Sequence, residues 1–187
     1  MTKRRFLFAL LGAALSVAGC NKSLKPEQMP AEVQTGEVYY TQFSLFEEKN
    51  TYRTTNYRKG VLVPINTEIV LEAMSSGDAK IRLLGTGQIL TIENVPKYSK
   101  DAMPEAFKKI AAPSKVDLSR FNAAEQAAIR TGKAITGMSR EAVLAAIGHP
   151  PQHETPSLAA DNWTYWTNRF DRFVVRFNNG KVAEIVN

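Results

Sequence analysis

The feature that most constrains this chain is an apolar segment near its start that ends at the only cysteine. Residues 3–5 are basic, residues 6–17 are almost all apolar, and Val17-Ala18-Gly19 leads directly into Cys20. A basic start, an apolar stretch of about a dozen residues and small residues at a cut are the marks of a secretory signal. The stretch is too short to cross a bilayer, because a spanning helix needs about 20 apolar residues. We therefore expect residues 1–19 to be removed as a signal peptide.

Cys20 itself predicts a lipid anchor. The string Val17-Ala18-Gly19-Cys20 resembles the lipobox read by lipoprotein signal peptidase, which cleaves before a diacylated cysteine. The alternative is an ordinary signal with a chance cysteine. A lone thiol would be a liability in an oxidising compartment, however, and acylation removes it. Two or more acyl chains, such as palmitate, hold a protein stably at a membrane. The prediction is a covalent lipid on Cys20 and no other cofactor.

Asn21 indicates which membrane the lipid enters. In Gram-negative bacteria an Asp directly after the acylated cysteine retains a lipoprotein in the inner membrane, and this chain carries Asn at that position. The sequence therefore favours the outer membrane, with the folded body on its periplasmic face.

The charge balance argues against nucleic acid as a partner. The chain has 24 basic and 18 acidic residues, and three of the basic ones belong to the predicted signal. The remaining formal charge of +3, from 21 basic and 18 acidic residues, is too small to indicate a nucleic-acid surface. The length that remains after cleavage suits one or two small domains.

Residues 20–95 predict a tether followed by a β-rich domain. Residues 20–37 contain two prolines, many polar residues and no apolar periodicity, which is typical of a flexible lipid-anchored tether. Residues 38–95 hold several short strand-like runs between turns, which favours a small barrel or sandwich. The run GVLVPINTEIVLEA at 60–73 is similar to a stretch of bacterial Src-homology-3-like barrels. That resemblance implies a small β-barrel-like domain of a kind that tends to bind peptides or cell-wall fragments.

Residues 122–187 read as an α+β domain, joined to the first by a connector at 96–121. Asn122 and Glu125 form a near capping box at the start of one helix, and Ser139 can cap a second helix. Three strands are expected to follow the helices. The predicted fold class is therefore α+β: a small N-terminal β-barrel-like domain followed by a two-helix plus three-stranded antiparallel sheet (ααβββ) domain.

The last two strands of that domain raise a question of register. Asn179-Gly180 is a strong signal for a two-residue hairpin turn. Such a turn alone would place Glu184 opposite Val175, on the apolar face of the sheet. A β-bulge in the last strand would relieve this conflict.

Four short motifs in this domain resemble the SmpA/OmlA (BamE-like) family of small outer-membrane lipoproteins. They are Gly137-Met138-Ser139, Val143-Leu144, Gly148-His149-Pro150, and the stretch from Phe177 to Val182 that contains Asn179-Gly180. The resemblance covers residues 122–187. It implies a non-catalytic accessory of the outer-membrane β-barrel assembly machinery, or a related protein of envelope integrity.

Motifs for catalysis or metal binding are absent from the sequence. His149 and His153 are the only histidines, and their spacing of four would suit a shared metal on a helix. Pro150 and Pro151 break any such helix, so we expect no metal site. The sequence also lacks a nucleophile elbow and a phosphate-binding loop. The prediction is a protein that is not an enzyme.

Aromatic residues in the first strand of the C-terminal sheet are the better candidates for a binding site. Trp163, Tyr165 and Trp166 lie within four residues of one another, and such side chains are enriched in binding hot spots. Packing in the core is the competing interpretation. In the next strand Arg172 and Arg176 point away from the apolar face, where they could meet anionic headgroups or an acidic partner, or simply face solvent.

Two functional hypotheses follow from the sequence. The first is an outer-membrane-anchored periplasmic lipoprotein that acts as a non-catalytic binding or scaffold subunit, in outer-membrane protein assembly or envelope integrity, with an envelope protein as its partner. The second is a module that binds peptidoglycan or a small ligand through the N-terminal β domain. The partner-binding candidates are Trp163, Tyr165, Trp166, Arg172 and Arg176.

Overall fold

A computed structural model describes residues 23–187. At Pro26 it describes the backbone alone. The predicted signal peptide, residues 1–19, and the predicted lipidation site Cys20 lie outside the described residues. None of the helices within residues 23–187 is long and apolar enough to cross a membrane.

The described chain forms eleven strands and four α-helices. In chain order they are β1 (Val38–Thr41), β2 (Leu45–Glu47), β3 (Thr51–Arg53), β4 (Val61–Val63), β5 (Glu68–Met74), β6 (Asp78–Leu83), β7 (Ile89–Glu93), α1 (Pro96–Ser99), α2 (Met103–Ile110), β8 (Ala111–Ala112), α3 (Ala123–Arg130), α4 (Arg140–Ile147), β9 (Asn162–Trp166), β10 (Arg172–Asn178) and β11 (Lys181–Val186). Short 3-10 turns lie at Pro26–Gln28 and Leu118–Arg120.

A curled six-stranded sheet carries the first hydrophobic core. Its strand order is β3-β7-β6-β5-β1-β8, and every neighbouring pair is antiparallel except β3 and β7. Burial alternates along β5 and β6, as expected for a sheet with one face on a core. Helix α2 packs on that face, where the Phe107 ring meets the Tyr39 ring edge-on at 5.2 Å.

This architecture corrects the predicted fold class. The expected β-barrel-like domain followed by an ααβββ domain is wrong, because residues 23–187 form a strand-rich structure with one large mixed sheet, two small sheets and four helices. The large sheet runs from β3 to β8 without closing. Two pairings explain the difference. Strand β3 joins β7 in parallel, and β8, from the predicted connector, adds an edge strand beside β1.

The segment from Ser23 to Gly36, predicted as part of a flexible tether, packs along β5. The Leu24 N–H donates to the Met74 carbonyl at 2.7 Å, and the Gly36 N–H donates to the Leu71 carbonyl at 2.8 Å. Val33 is buried in the first core, so apolar contact also holds the segment in place. The segment runs along the sheet as an irregular chain, and for this reason its sequence shows no apolar periodicity.

Glu125 joins the starts of the two helices in the C-terminal part. The predicted capping box is confirmed: the Glu125 N–H donates to Asn122 Oδ1 at 3.0 Å, and the Asn122 N–H donates to Glu125 Oε2 at 3.2 Å. The other carboxylate oxygen accepts the Ser139 N–H at 2.9 Å, and Ser139 caps α4. Burial alone would raise the pKa of Glu125, but these backbone hydrogen bonds outweigh it and lower the pKa.

A three-stranded antiparallel sheet, in the order β11-β10-β9, packs with α3 and α4 around the second core. Val143 of α4, Trp163 of β9 and Val175 of β10 are fully buried there. The register of the last hairpin shifts between the pairs Arg176–Glu184 and Phe177–Val182, which leaves Ala183 of β11 unpaired; this is the kind of bulge that the sequence left open, and it places Glu184 opposite Arg176 on the polar face. The Arg176–Glu184 ion pair at 2.7 Å follows from that register.

The boundary between the two cores is close-packed at Gly148, the residue that ends α4. Its backbone has φ +74° and ψ −169°, a region almost reserved for glycine. A Cβ at this position would lie 2.7 Å from ring carbons of Phe43, a buried member of the first core. Gly148 is therefore required both for its backbone conformation and for the approach of the two cores.

We predict that Gly148→Ala lowers the free energy of unfolding by about 3 kcal/mol or more, because backbone strain and overpacking each cost about 1–3 kcal/mol. Gly137→Ala is the matched control. Gly137 also has a positive φ, but its Cβ would meet nothing within 4 Å, so only strain of about 1–2 kcal/mol is expected. Chemical denaturation measures both. Equal losses for the two variants would show that the contact with Phe43 is unimportant.

Candidate functional site

Arg58 lies where the two cores meet, and its two terminal nitrogens donate to main-chain carbonyls and to one side-chain oxygen, while Nε has no partner within residues 23–187. Nη2 donates to the Ser44 carbonyl at 2.9 Å and to the Gly132 carbonyl at 3.1 Å. Nη1 donates to Asn56 Oδ1 at 3.1 Å, with the Ile147 carbonyl at 3.4 Å. The guanidinium also stacks over the Phe46 ring at 4.7 Å. No carboxylate within residues 23–187 forms an ion pair with it.

Two of those acceptors belong to helix C-termini, which suits a positive charge. Ile147 is the last residue of α4, and Gly132 follows directly on the cap of α3. The helix dipole places partial negative charge at such ends. Burial lowers the pKa of the Arg58 guanidinium to about 10, so the group stays charged at neutral pH. The carbonyls thus replace water around a cation.

Asn56 and Tyr165 fix the chain that leaves α4. Asn56 Nδ2 donates to the carbonyls of Ile147 and His149, at 2.6 and 3.0 Å. The Tyr165 hydroxyl donates to the Gly148 carbonyl at 2.9 Å, and burial raises its pKa, which keeps it protonated as a donor. The loop that follows Gly148 therefore leaves the boundary in a defined direction.

This loop forms one wall of an aromatic cleft of about 220 Å³. The cleft is lined by Thr55, Tyr57, Tyr98, His153, Glu154, Trp166 and Arg169. The loop is held against α1, because the His153 N–H donates to the Tyr98 carbonyl at 3.2 Å. The ring centroids of Tyr98 and His153 are 4.6 Å apart, and those of His153 and Trp166 are 6.4 Å apart and nearly parallel. The main-chain N–H of Arg58 donates to the main-chain carbonyl of Trp166 at 3.1 Å and so holds Trp166 in position.

Three residues of the aromatic cleft have buried polar atoms without a hydrogen-bond partner in the described chain. These atoms are Thr55 Oγ1, His153 Nδ1 and Trp166 Nε1. Thr55 is only 4% exposed. A buried polar group that lacks a partner costs about 1–3 kcal/mol, and most such groups in native proteins are satisfied. The three residues that carry these atoms all line one cavity, which makes this cleft a candidate binding site.

Charged side chains lie at the edge of the cleft. Glu154 faces His153 Nε2 at 3.4 Å and Arg172 Nη1 at 3.5 Å. Arg172 also stacks over the Trp166 ring at 5.7 Å. The nearby turn presents Phe170, which is 75% exposed. The cleft can therefore contact a ligand through ring faces, hydrogen bonds and charges of both signs.

The five predicted partner-binding residues have different places in the structure. Trp163 and Tyr165 lie fully buried in the second core, with no accessible surface. Trp166 lines the aromatic cleft and Arg172 lies at its edge. Arg176 is half exposed and paired with Glu184, further along β10. The strand alternation that separates Trp166 from Trp163 and Tyr165 was visible in the sequence.

Sequence reasoning missed most of the cleft. Thr55, Tyr57 and Tyr98 come from parts of the chain assigned to other units, and the spacing of the histidines suggests only a metal-ligand role for His153. No local signal joins positions that far apart. Among the described residues no group of three His, Cys, Asp or Glu side chains is placed to hold a metal ion.

Comparison with known proteins gives no relative on which to base a function. No family model matches the chain, and neither a curated protein nor a solved structure matches it. Function is therefore inferred from the geometry of the cleft and from the sequence.

We predict that Arg58→Met lowers the free energy of unfolding by about 3 kcal/mol or more, because the carbonyls of Ser44 and Gly132 and the Asn56 Oδ1 atom lose their donor at about 1–3 kcal/mol each. The free energy of unfolding of Arg58→Lys should lie between those of the wild type and Arg58→Met, since an ammonium cannot reach all of these acceptors. Arg176→Met, which breaks an ion pair whose side chains are half exposed, is the control and should cost less than about 1 kcal/mol. Urea denaturation of the three variants checks this. A loss for Arg58→Met no larger than that of the control would contradict the role given to Arg58.

Proposed function

We propose that this protein is a lipid-anchored envelope protein that binds a segment of a partner protein in the aromatic cleft. It acts without catalysis, as a binding or scaffold subunit in outer-membrane protein assembly or envelope integrity. The observation that carries the proposal is an aromatic-lined cavity among whose lining residues three, Thr55, His153 and Trp166, each have a buried polar atom with no partner in the described chain.

An extended peptide fits the chemistry of the cleft. The Trp166 indole N–H is a donor only, and a backbone carbonyl is an acceptor that every peptide supplies. Thr55 Oγ1 and His153 Nδ1 can each donate or accept, and so can pair with either kind of backbone group. The rings of Tyr98 and Trp166 offer apolar faces for a side chain. Aromatic residues of this kind dominate the binding energy of protein interfaces.

The predicted anchor would hold this cleft close to the lipid. Cys20 is three residues from Ser23, and each residue spans at most about 3.3–3.6 Å. A lipid on Cys20 would therefore be joined to Ser23 by at most about 11 Å of chain. Ser23 pairs with Ser75 at the end of β5, and the Asn94 N–H, just before α1, donates to the nearby Gly77 carbonyl at 2.8 Å. Ser23 and the start of α1 thus lie at the same end of the large sheet, so a lipid on Cys20 would favour a membrane-proximal partner.

Membrane attachment is tested by replacing the predicted lipid-bearing residue. Cys20→Ala should block acylation and leave the protein uncleaved or soluble in the periplasm, because no helix within residues 23–187 could replace the anchor. Cell fractionation with a carbonate wash measures the change. Ser23→Ala, close in sequence but outside the lipobox, is the control and should remain with the membrane. A cleaved Cys20→Ala protein that resists the wash would refute the anchor.

The role of the cleft is tested with Thr55→Val. Because the Thr55 hydroxyl has no partner in the described chain, its removal should leave stability unchanged or raise it by about 1 kcal/mol. Thr54→Val is the matched control, since the Thr54 hydroxyl bonds Asn94 Oδ1 at 3.0 Å and the Val95 N–H at 2.8 Å. Thr54→Val should lower the free energy of unfolding by about 1–3 kcal/mol. Thermal denaturation separates the two variants.

Partner binding is measured on the same variants, with Trp166→Phe added to remove the indole N–H while keeping a ring. A photo-crosslinking residue at Arg169, on the cleft, should capture β-barrel assembly subunits in living cells, and Thr55→Val and Trp166→Phe should weaken that capture. The same crosslinker at Lys80, on the large sheet, should not capture them. Retention on peptidoglycan without protein crosslinks would instead favour the cell-wall hypothesis.

A further inference from the structure

A second cavity is lined by other residues of the loop that follows Gly148, and the proposed function does not use it. It encloses about 270 Å³ between this loop and helix α2. Its apolar surface includes Phe43, Ile110 and Leu158, and its charged groups are Asp101 and Lys109. Small-molecule sites are typically cavities of this kind, mostly apolar with a few convergent polar groups.

The two charged groups form an ion pair in which each retains unused bonding capacity. Lys109 Nζ lies 2.6 Å from Asp101 Oδ2. An ammonium has three donors and a carboxylate has two oxygens. The Asp101 side chain is 16% exposed, so most of its surface is enclosed. Asp101 Oδ1 receives no hydrogen bond from any residue in the range 23–187. The pair can therefore accept a ligand without being broken.

The side chains of Asn94 and Ser99 hold the Asp101 backbone in place. Asn94 Nδ2 donates to the Asp101 carbonyl at 2.9 Å, and the Asp101 N–H donates to Ser99 Oγ at 3.3 Å. Lys109 belongs to α2, which is anchored in the first core through Phe107 and Ile110. The positive and negative groups thus present a fixed dipole at the cavity wall.

The remaining polar wall is neutral. His149 lines the cavity, and its Nδ1 is buried without a hydrogen-bond partner among the described residues. Burial lowers the pKa of His149, and the nearby Lys109 lowers it further, while Asp101 raises it. The imidazole is therefore uncharged at neutral pH. The cavity as a whole carries one positive and one negative group and favours a ligand with no net charge.

We propose that this cavity binds a small zwitterion of the amino-acid type with an apolar side chain. The ligand's ammonium would bond Asp101 Oδ1, and its carboxylate would bond Lys109 Nζ. The two charges of an α-amino acid lie about as far apart as those of a close ion pair. The dipole of the ligand can therefore align antiparallel to that of the Asp101–Lys109 pair. A cavity of about 270 Å³ has room for a branched side chain against Phe43, Ile110 and Leu158.

The test is isothermal titration of leucine into the chain from residue 20 onward with Cys20→Ser, which keeps every residue that the structure describes. Leucine should bind at least about tenfold more tightly than 4-methylpentanoate, which lacks the ammonium, and 3-methylbutylamine, which lacks the carboxylate. Glycine, which lacks the apolar body, should also bind more weakly. Equal or absent binding of all four compounds would overturn the proposal.

Variants assign the two contacts. Lys109→Met should reduce leucine binding to the level of the amine, and Asp101→Asn should reduce it to the level of the carboxylate. Lys108→Met is the matched control, because Lys108 lies beside Lys109 on α2 but pairs with exposed Glu105 at 2.8 Å. It should leave binding unchanged, and melting curves confirm that each variant folds. Binding that survives both Lys109→Met and Asp101→Asn would place leucine elsewhere. Trp166→Phe should not affect leucine, which separates this site from the proposed partner cleft.

Discussion

The hydrogen bonds of the Arg58 guanidinium hold the two cores in one arrangement. A planar group with five donors can bond carbonyls that approach from several directions, which a lysine ammonium cannot do equally well. Here the carbonyls of Ser44, Gly132 and Ile147 come from three separate parts of the chain. Each of them would cost free energy if it were buried without a donor. Arg58 therefore supplies hydrogen-bond donors to carbonyls at the boundary between the two cores. Apolar packing alone would bury these carbonyls without a donor.

Both cavities depend on this boundary because they share the loop that begins at Gly148. The backbone carbonyls of Ile147, Gly148 and His149 are bonded by Asn56, Arg58 and Tyr165, so the start of the loop is fixed. Different residues of the loop then line the two cavities, one rich in aromatic rings and one with an ion pair. A guest in either cavity would contact the same segment. Displacement of that segment by one guest would change the shape offered to the other.

What could be predicted from the sequence was local. The capping box of Asn122 and Glu125 and the hairpin at Asn179-Gly180 are set by residues close in sequence, and each is confirmed. The strand pairing that defines the fold was not predictable in this way. The parallel contact of β3 with β7 joins segments about 40 residues apart, and nothing in either segment specifies it. The packing of residues 23–36 on β5 was missed because an irregular segment has no periodicity to detect.

The histidines show why the candidate sites were beyond sequence reasoning. His149 and His153 are four residues apart, a spacing that on a helix would bring them together, but Pro150 and Pro151 between them direct the side chains to different cavities. Both prolines are buried at the boundary, where any other residue would bring an N–H in need of an acceptor. Proline fills this space with apolar surface and brings no such donor. The prolines that exclude a shared metal site in the sequence are thus the residues that allow one loop to form a wall of two separate cavities.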